Sequence, residues 1–291
     1  TVQRALDALG KSETLTVSQQ ADQKFLTDTL ALLDNLEKEQ AKAKTLAQRV
    51  RTLPGELKEI SAKLDALALD KGPEQLKSEY ATMSLAELDA RQPEIMANMQ
   101  EAQEALGTIG SQITNLQTLP ERAQANMSRA YQRSQEIRTR LNSGDGVSSA
   151  EKMKLNTELV LLDLQLANLQ KELDNRTSMQ DLAVKQRDYQ SARLAHEEQK
   201  LQALQEQSSA KRLGDTEKTA EQTGELVATE DNPLVQKEQE INHQLSQQLI
   251  SATTNLNSLA QKNLQAKSWL ERGTQTERNL NEQVQMLKGN L

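Results

Sequence analysis

The stretch from Asn232 to Leu291 decides the fold, and it reads NPLVQKEQEINHQLSQQLISATTNLNSLAQKNLQAKSWLERGTQTERNLNEQVQMLKGNL. Its apolar residues recur at steps of three and four, the heptad spacing of a helix that packs along one seam. Pro233 suits the first position of a helix, with Asn232 as its N-cap. At 1.5 Å per residue an unbroken helix would be roughly 90 Å long and could not fold back on itself. We therefore expect the rest of the chain to supply helices that cover this seam. The seam consists of Leu234, Ile241, Leu245, Ala252, Leu256, Leu259, Ala266, Leu270, Glu277, Leu280, Val284 and Leu287.

The composition of the whole chain agrees with slender helices. Its 291 residues are 36% hydrophobic and only 2% aromatic, which is little material for a thick core. An ordered fold must then depend on the periodic spacing of the apolar residues, because a thin apolar stripe can join helices side by side. We predict an all-α, elongated architecture of antiparallel helical bundles, or coiled-coil hairpins.

Prolines and turn residues divide the upstream pattern. Heptad helices are expected to stop at Leu53-Pro54 and Leu119-Pro120, because the residue before proline avoids the helical region. A capping box, Ser84 with Glu87, opens a helix that Pro93 bends or interrupts. Asp70 to Pro73 predicts a turn. The string Thr-Leu-Pro at 52–54 and 118–120 indicates either two repeated helix–turn–helix units or chance.

The clearest break in the first two-thirds of the chain is 142–146, Asn-Ser-Gly-Asp-Gly. It predicts two domains. The first, residues 1–141, is an N-terminal helical bundle of helix–turn–helix units. The second, residues 147–291, is a long antiparallel helical hairpin with a loop near 213–231. Ser148 and Glu151 form a second capping box, and the wide leucine stripe after it suits a central helix with two neighbours.

Residues of the types that act in catalysis or bind metal ions are scarce. The chain has no cysteine and two histidines, His196 and His243, both inside charged or Gln-rich helices. Glu197 and Glu198 follow His196, but adjacent helical residues point about 100° apart, so they form no shared coordination face. We expect solvated histidines and surface carboxylates. Ser148 is better explained as a cap than as a nucleophile beside Ser149.

These residues predict no catalytic, cofactor-binding or metal site, no cofactor, and no enzyme. A catalytic domain would need polar groups that converge in a pocket, and the seams leave no obvious place for one. Gly107 and Gly110 lie inside a heptad helix, where close helix approach or local weakness explains them.

The distribution of charge gives one further candidate for a functional surface. The net charge of −7 is spread along the chain and argues weakly against nucleic acid as a partner. Residues 56–104 are acidic, whereas residues 121–141 carry an arginine cluster. Either these faces meet and steer helix pairing, or the arginines form a docking surface for anionic lipid or polymer. Trp269, beside Leu270, is interpreted as a packing anchor at a bundle edge. The cluster consists of Arg122, Arg129, Arg133, Arg138 and Arg140.

Several short strings of residues resemble those of a known family. They are NPLV at 232–235, EIN at 240–242, QLSQ at 244–247, KSWLER at 267–272, ERN at 277–279, LPER at 119–122, KQRDY at 185–189, KRL at 211–213 and TEKTA at 216–220. In their order along the chain, these strings resemble the MscK (KefA)-type, MscS-like, potassium-dependent mechanosensitive channels of the bacterial inner membrane. The resemblance runs, with gaps, from about residue 25 to residue 291.

The resemblance implies the periplasmic N-terminal helical domain of a large inner-membrane channel that releases solutes on hypo-osmotic shock. The domain would serve as an extramembrane cap or gating modulator. Its partners would be the remainder of the same polypeptide and neighbouring subunits of a heptamer, with a cell-envelope component as a further candidate. No run approaches the ~18 apolar residues of a membrane span, and residues 1–10 do not read as a signal peptide. The alternative is a soluble coiled-coil scaffold or tether in the cell envelope.

Overall fold

A computed structural model describes residues 2–9, 16–143, 146–229 and 233–288. These residues form helices joined by short turns, without a strand among them, so the all-α prediction is confirmed. The helices are α1 (Val2–Leu9), α2 (Val17–Ala68), α3 (Pro73–Ala81), α4 (Leu85–Asn142), α5 (Ser149–Thr229) and α6 (Pro233–Lys288).

The starts of the helices follow the predicted caps. At α4 the Glu87 amide donates to Ser84 Oγ at 3.3 Å, and the Ser84 amide donates to Glu87 Oε2 at 2.7 Å. At α5 the Glu151 amide donates to Ser148 Oγ at 3.1 Å. Gly146 precedes α5 with a φ of 77°, a conformation that glycine adopts without steric cost. The predicted first residue of α6, Pro233, is confirmed, whereas its expected N-cap, Asn232, lies outside the described residues.

The prolines do not end helices, so the predicted stops and the helix–turn–helix corners are wrong. Pro54 lies inside α2, and Pro93 and Pro120 lie inside α4. An interior proline costs ~3 kcal/mol because it removes a hydrogen bond and crowds the preceding turn. Burial offsets this cost: Leu53, next to Pro54, is 2% exposed and packs in a cluster with residues from both sides of the proline.

Helix α5 also runs further than predicted. The loop expected near 213–231 is wrong as far as Thr229, because α5 continues to that residue. Arg212 Nη2 donates to Asp89 Oδ1 of α4 at 2.7 Å, and Ala220 is buried. These tertiary contacts hold in helical form a segment whose own apolar content is low. The turn predicted between Asp70 and Pro73 is confirmed, since α2 ends at Ala68 and α3 begins at Pro73.

The chain divides into two units. Unit 1 comprises Thr1–Leu64 and Gly107–Tyr189, and unit 2 comprises Asp65–Leu106 and Gln190–Leu291. Both units take residues from before and after the turn at 142–146. The domain boundaries predicted at that turn stay a prediction.

In unit 1, α5 contacts both α2 and α4. Its polar contacts with α2 join residues whose numbers rise together, so these two helices run parallel. Its contacts with α4 join residues whose numbers change in opposite senses, so that pair is antiparallel. The prediction that α5 is a central helix with two neighbours is therefore confirmed in this unit. The contacts are Asp28–Lys154, Glu39–Asn168, Lys42–Glu172 and Ser61–Lys185 for α2, and Arg133–Glu158 and Arg140–Glu151 for α4.

In unit 2, α3 and the first part of α4 pack against the later part of α5. Leu88 of α4 and Leu204 of α5 are almost fully enclosed, at 0% and 1% exposure. Arg193 Nη2 of α5 donates to Glu101 Oε2 of α4 at 2.7 Å. With the Arg212–Asp89 contact, this shows that α4 and α5 are antiparallel here too. The core consists of Leu76, Tyr80, Leu88, Ile95, Met99, Leu201, Ala203 and Leu204.

Candidate functional site

Two arginines of the predicted cluster join α4 to α5. Arg133 donates to both carboxylate oxygens of Glu158, at 2.6 and 3.1 Å, and to Glu136 at 3.0 Å. Hydrogen bonding to Glu158 and then to Glu136 raises the pKa of Arg133. Arg140 donates to both oxygens of Glu151 at 2.8 and 3.2 Å, and this lowers the pKa of Glu151. Bidentate pairs of this kind fix the orientation of two helices as well as attracting them.

The other arginines of the cluster make contacts within their own helix or are exposed. Arg122 Nη2 donates to the Asn115 carbonyl oxygen at 2.9 Å, and Arg129 Nη2 donates to Asn126 Oδ1 at 3.1 Å. Arg138 is exposed. A groove of about 460 Å³ lies beside Arg129 and Arg133 in unit 1. The interpretation of this cluster as a docking surface for anionic lipid or polymer stays a prediction.

The arginine cluster was expected to contact the acidic residues 56–104, and this expectation is wrong, because the cluster pairs with other residues. The two arginines of the cluster that cross to another helix, Arg133 and Arg140, pair with acids of α5, as described above. Acids of the 56–104 segment pair instead with arginines of α5: Asp89 with Arg212 and Glu101 with Arg193. Ion pairs do join these helices, but α5 is the helix that both segments contact.

The second candidate is a buried polar cluster in unit 2. His196 is 9% exposed and Glu197 is 5% exposed, so the expectations of a solvated histidine and surface carboxylates are wrong for these two residues. His196 Nε2 lies 3.1 Å from Asp70 Oδ2, an ion-pair distance without hydrogen-bond geometry. Lys200 Nζ donates to Glu197 Oε1 at 2.7 Å. Glu197 Oε2 is buried and has no hydrogen-bond partner in the described part of the chain.

The electrostatics of this cluster follow from its position under the turn between α2 and α3. The Lys71 amide donates to Asp70 Oδ1 at 2.8 Å and, ahead of the charge of His196, lowers the pKa of Asp70. Burial, followed by the charge of Glu79, raises the pKa of Tyr80. The cluster ties the turn to α5. Across the described residues, no group of three or more His, Asp or Glu side chains is arranged to hold a metal ion.

The third candidate is the C-terminal seam, and here the main expectation of the sequence is wrong. Within the unit to which α6 belongs, its apolar seam is not covered. Leu245 is 55% exposed, Leu256 57%, Leu259 64% and Leu270 71%. Trp269, expected to anchor packing, is 69% exposed. The side chains of Leu280 and Leu287 lie outside the description. We call the exposed line the α6 stripe: Leu234, Ile241, Leu245, Leu249, Ala252, Leu256, Leu259, Asn263, Ala266, Leu270, Glu277 and Val284.

A different line of α6 is covered. Ser246 is 8% exposed, and Gln239, His243, Ile250 and Thr253 are half-buried. These residues also follow steps of four and three, on the side of the helix that is roughly opposite the α6 stripe. His243 is therefore not solvated as expected, and its Nε2 lies 2.9 Å from Gln247 Nε2. Four of the five residues on the covered line are polar, which is why hydropathy did not indicate it.

These features show the class of protein to which the chain belongs. The described chain is a helical module whose charged side chains join its helices, and no described helix is long and apolar enough to cross a membrane. The chain belongs to the family described as "Mechanosensitive ion channel porin domain", whose profile matches residues 5–237. The resemblance found in the sequence is confirmed.

Two relatives are longer proteins that match this chain over part of their length. Over an alignment of 297 positions it is 39% identical to "Mechanosensitive channel MscK" of Escherichia coli (strain K12), a match that takes in 100% of the chain and 26% of that protein, its N-terminal region. It is 28% identical over 281 positions to an "Uncharacterized MscS family protein" of Haemophilus influenzae, covering 94% of the chain and 25% of the relative. The chain thus spans about a quarter of each relative. No solved structure matches it.

Proposed function

We propose that the chain is the periplasmic helical domain of a large inner-membrane mechanosensitive channel that releases solutes on hypo-osmotic shock. The observation that carries this proposal is the match of the whole chain to the N-terminal region of MscK. The proposal makes the chain a non-catalytic part of a channel. The remainder of the polypeptide and neighbouring subunits, seven in all, are its partners.

Within that channel we assign the domain the role of an extramembrane cap or gating modulator. The support is mechanical. Helices α2, α4 and α5 continue through prolines or glycines, and ion pairs join α5 to α2 and α4 in unit 1 and to α4 in unit 2, so each unit can transmit a displacement without bending at a loop. A domain can bias a gate only if its contacts differ between the closed and open states. The proposal therefore requires contacts with the membrane part that change on opening.

Osmotic downshock tests the channel role. The full-length protein is expressed in a strain that lacks such channels, and survival and tension-activated current in patches are measured, with and without potassium. Survival and current are expected. The absence of both, with the protein present in the membrane, would contradict the channel role.

A deletion tests the gating role separately. Removal of the domain from the full-length protein is expected to shift the tension at which current appears, and the exposed variant Lys38→Met, made in the intact protein, serves as control. An unchanged threshold after deletion would contradict the gating role and leave the channel role standing.

A second candidate function is a coiled-coil scaffold or tether in the cell envelope. The exposed α6 stripe favours it, because a tether needs a face for a partner. The gene sequence beyond Leu291 separates the two: several apolar segments of about 20 residues must follow if the chain is part of a channel.

A further inference from the structure

We propose that unit 1 contains a bending joint, a layer in which α2 and α4 flex against α5 while all three stay helical. The starting observation is that residues that weaken a helix lie together on two neighbouring helices. They are Pro54 and Gly55 of α2 and Gly107 and Gly110 of α4. The inference goes beyond the proposed function, because it concerns how these helices bend, whether or not the domain acts on a gate.

Two apolar clusters place these residues at one level of α5. Leu182 belongs to the cluster that contains Leu53, the residue before the proline of α2. Ala183, the next residue of α5, belongs to the cluster that contains Ile109, which lies between the two glycines of α4. Leu116 of α4 packs against both clusters. The weak positions of α2 and α4 therefore lie beside the same helical turn of α5.

In α2 the backbone is weak at this level because a proline is followed directly by a glycine. Pro54 has no amide hydrogen, so the carbonyl group of Val50 lacks the donor that a helix would supply. Gly55 disfavours a helix, because glycine loses more backbone freedom than any other residue when a helix forms. Proline is among the usual causes of a kink in a long helix. This part of α2 is therefore expected to bend more readily than the rest of the helix.

In α4 two hydroxyl groups weaken the backbone at the same level. Ser111 Oγ donates to the carbonyl oxygen of Gly107 at 3.1 Å, and Thr114 Oγ1 donates to that of Gly110, also at 3.1 Å. Hydrogen bonds of this kind compete with the amide donors of the helix and often bend it. Glycine paired with serine is a further usual cause of a kink. Bending of α4 is therefore favoured where α2 is also weak.

The packing around the glycines does not explain why they are present. A methyl group added at Gly55, Gly107 or Gly110 would meet no atom within 4 Å, so alanine would fit at each position and would favour the helix. Flexibility of the backbone does explain them. At the same level Leu53 and Leu182 are each 2% exposed. These enclosed leucines hold α2 on α5, so the helices can bend without separating, and the bend is shared by continuous helices rather than taken up by a loop.

Distances between spin labels on α2 test the joint. Because the chain has no cysteine, Lys44→Cys with Lys63→Cys places two exposed labels on either side of the proline and glycine of α2. Ala21→Cys with Gln40→Cys is the matched control on the same helix, with the same spacing of about 28 Å and with neither proline nor glycine between the labels. Double electron–electron resonance is expected to give a distance distribution about twice as broad across the joint as in the control.

A variant distinguishes bending from a fixed kink. Pro54→Ala with Gly55→Ala, combined with the labels across the joint, is expected to narrow the distribution to the width of the control. Equal widths for the two label pairs in the parent chain would overturn the inference, and so would a broad distribution that the variant leaves unchanged. A narrow distribution at a shortened distance would also overturn it, because it would show a fixed kink.

Hydrogen exchange tests the α4 side of the joint. The amides of residues 111–117 are expected to exchange faster than those of residues 123–129, a later segment of α4 without glycine or proline. Gly107→Ala with Gly110→Ala is expected to slow exchange of the first segment about tenfold and to leave the second unchanged. Equal slowing of both segments would show only that the whole chain is more stable and would overturn the inference. No slowing at 111–117 would overturn it as well.

Discussion

Helices α4 and α6 carry apolar stripes of the same spacing in opposite environments. On α4, Ile95, Ala102 and Ile113 are 5%, 0% and 3% exposed, whereas on α6 Leu256 and Leu259 are 57% and 64% exposed. The α4 stripe packs against residues of α5 in each of the two units. Heptad spacing therefore specifies a face that needs a partner, but it does not specify whether the same unit of the chain supplies that partner.

Truncating one leucine on each helix gives the largest expected contrast. Leu88→Ala, at a fully enclosed position of α4, is expected to lower the free energy of unfolding by about 2–5 kcal/mol through lost burial and a cavity. Leu259→Ala on the α6 stripe is expected to change it by less than about 0.5 kcal/mol in the monomeric chain. Urea unfolding at low protein concentration measures both. Equal losses of unfolding free energy for the two variants would contradict the difference between α4 and α6, because they would mean that the α6 stripe is covered.

The buried polar cluster gives the next largest effect. Lys200→Met leaves the Glu197 carboxylate buried without its cation and is expected to cost about 1–3 kcal/mol, since Lys200 is only partly enclosed. Adding Glu197→Met to this variant is expected to recover most of the loss. Lys38→Met, which removes an exposed pair with Asp34, is the control and should change stability by less than about 0.5 kcal/mol. If the double variant is no more stable than Lys200→Met, burial of an unpaired charge is not the cause.

Acid pH tests the ion pairs that join α4 to α5. Hydrogen bonding from Arg140 holds the pKa of Glu151 below its ordinary value of 4.5. The resulting stabilisation is fully present above that value and is lost as the pH falls through the lowered pKa of the folded state. Arg140→Met is therefore expected to flatten the pH dependence of the urea midpoint below about pH 4.5, with a loss at neutral pH of about 0.5–1 kcal/mol. A variant that keeps the acid dependence of the parent chain would show that this pair does not contribute.

The smallest expected effect is a gain in stability at Gly107. A methyl group added at Gly107 or Gly110 would meet no atom within 4 Å, so the interpretation of these glycines as sites of close helix approach is wrong. Gly107→Ala is expected to stabilise the chain by about 0.5–1 kcal/mol, because alanine loses less backbone entropy in a helix. Thermal unfolding of Gly107→Ala and Gly110→Ala measures this, and a decrease in the melting temperature would indicate a contact with that face of α4.

The helices and the family could be predicted from the sequence, because both depend on residues near each other in the chain. Capping pairs such as Ser84 with Glu87 and turns such as that at Asp70 to Pro73 are local. The helix ends predicted at the prolines were wrong, because that prediction considered the local backbone cost of a proline and not the burial of its neighbours against other helices. At Pro54, the enclosed Leu53 favours continuation of the helix.

The candidate sites could not be predicted in the same way, because their partners are distant in sequence. His196 is buried against a turn that contains Asp70, and Arg140 and Arg193 take partners on other helices. The residue types alone indicate that such charges exist but not which helix they meet. The exposure of the α6 stripe was missed because the covered line of that helix is mostly polar.

Accessibility of matched cysteines tests the central claim, that the α4 stripe is enclosed and the α6 stripe is open. Ala102→Cys and Ala266→Cys make the same small change on the two helices, in a chain without other thiols. At low protein concentration, Ala266→Cys is expected to react with a maleimide as fast as a free thiol, and Ala102→Cys at least a hundredfold more slowly. Similar rates for the two variants would contradict the account.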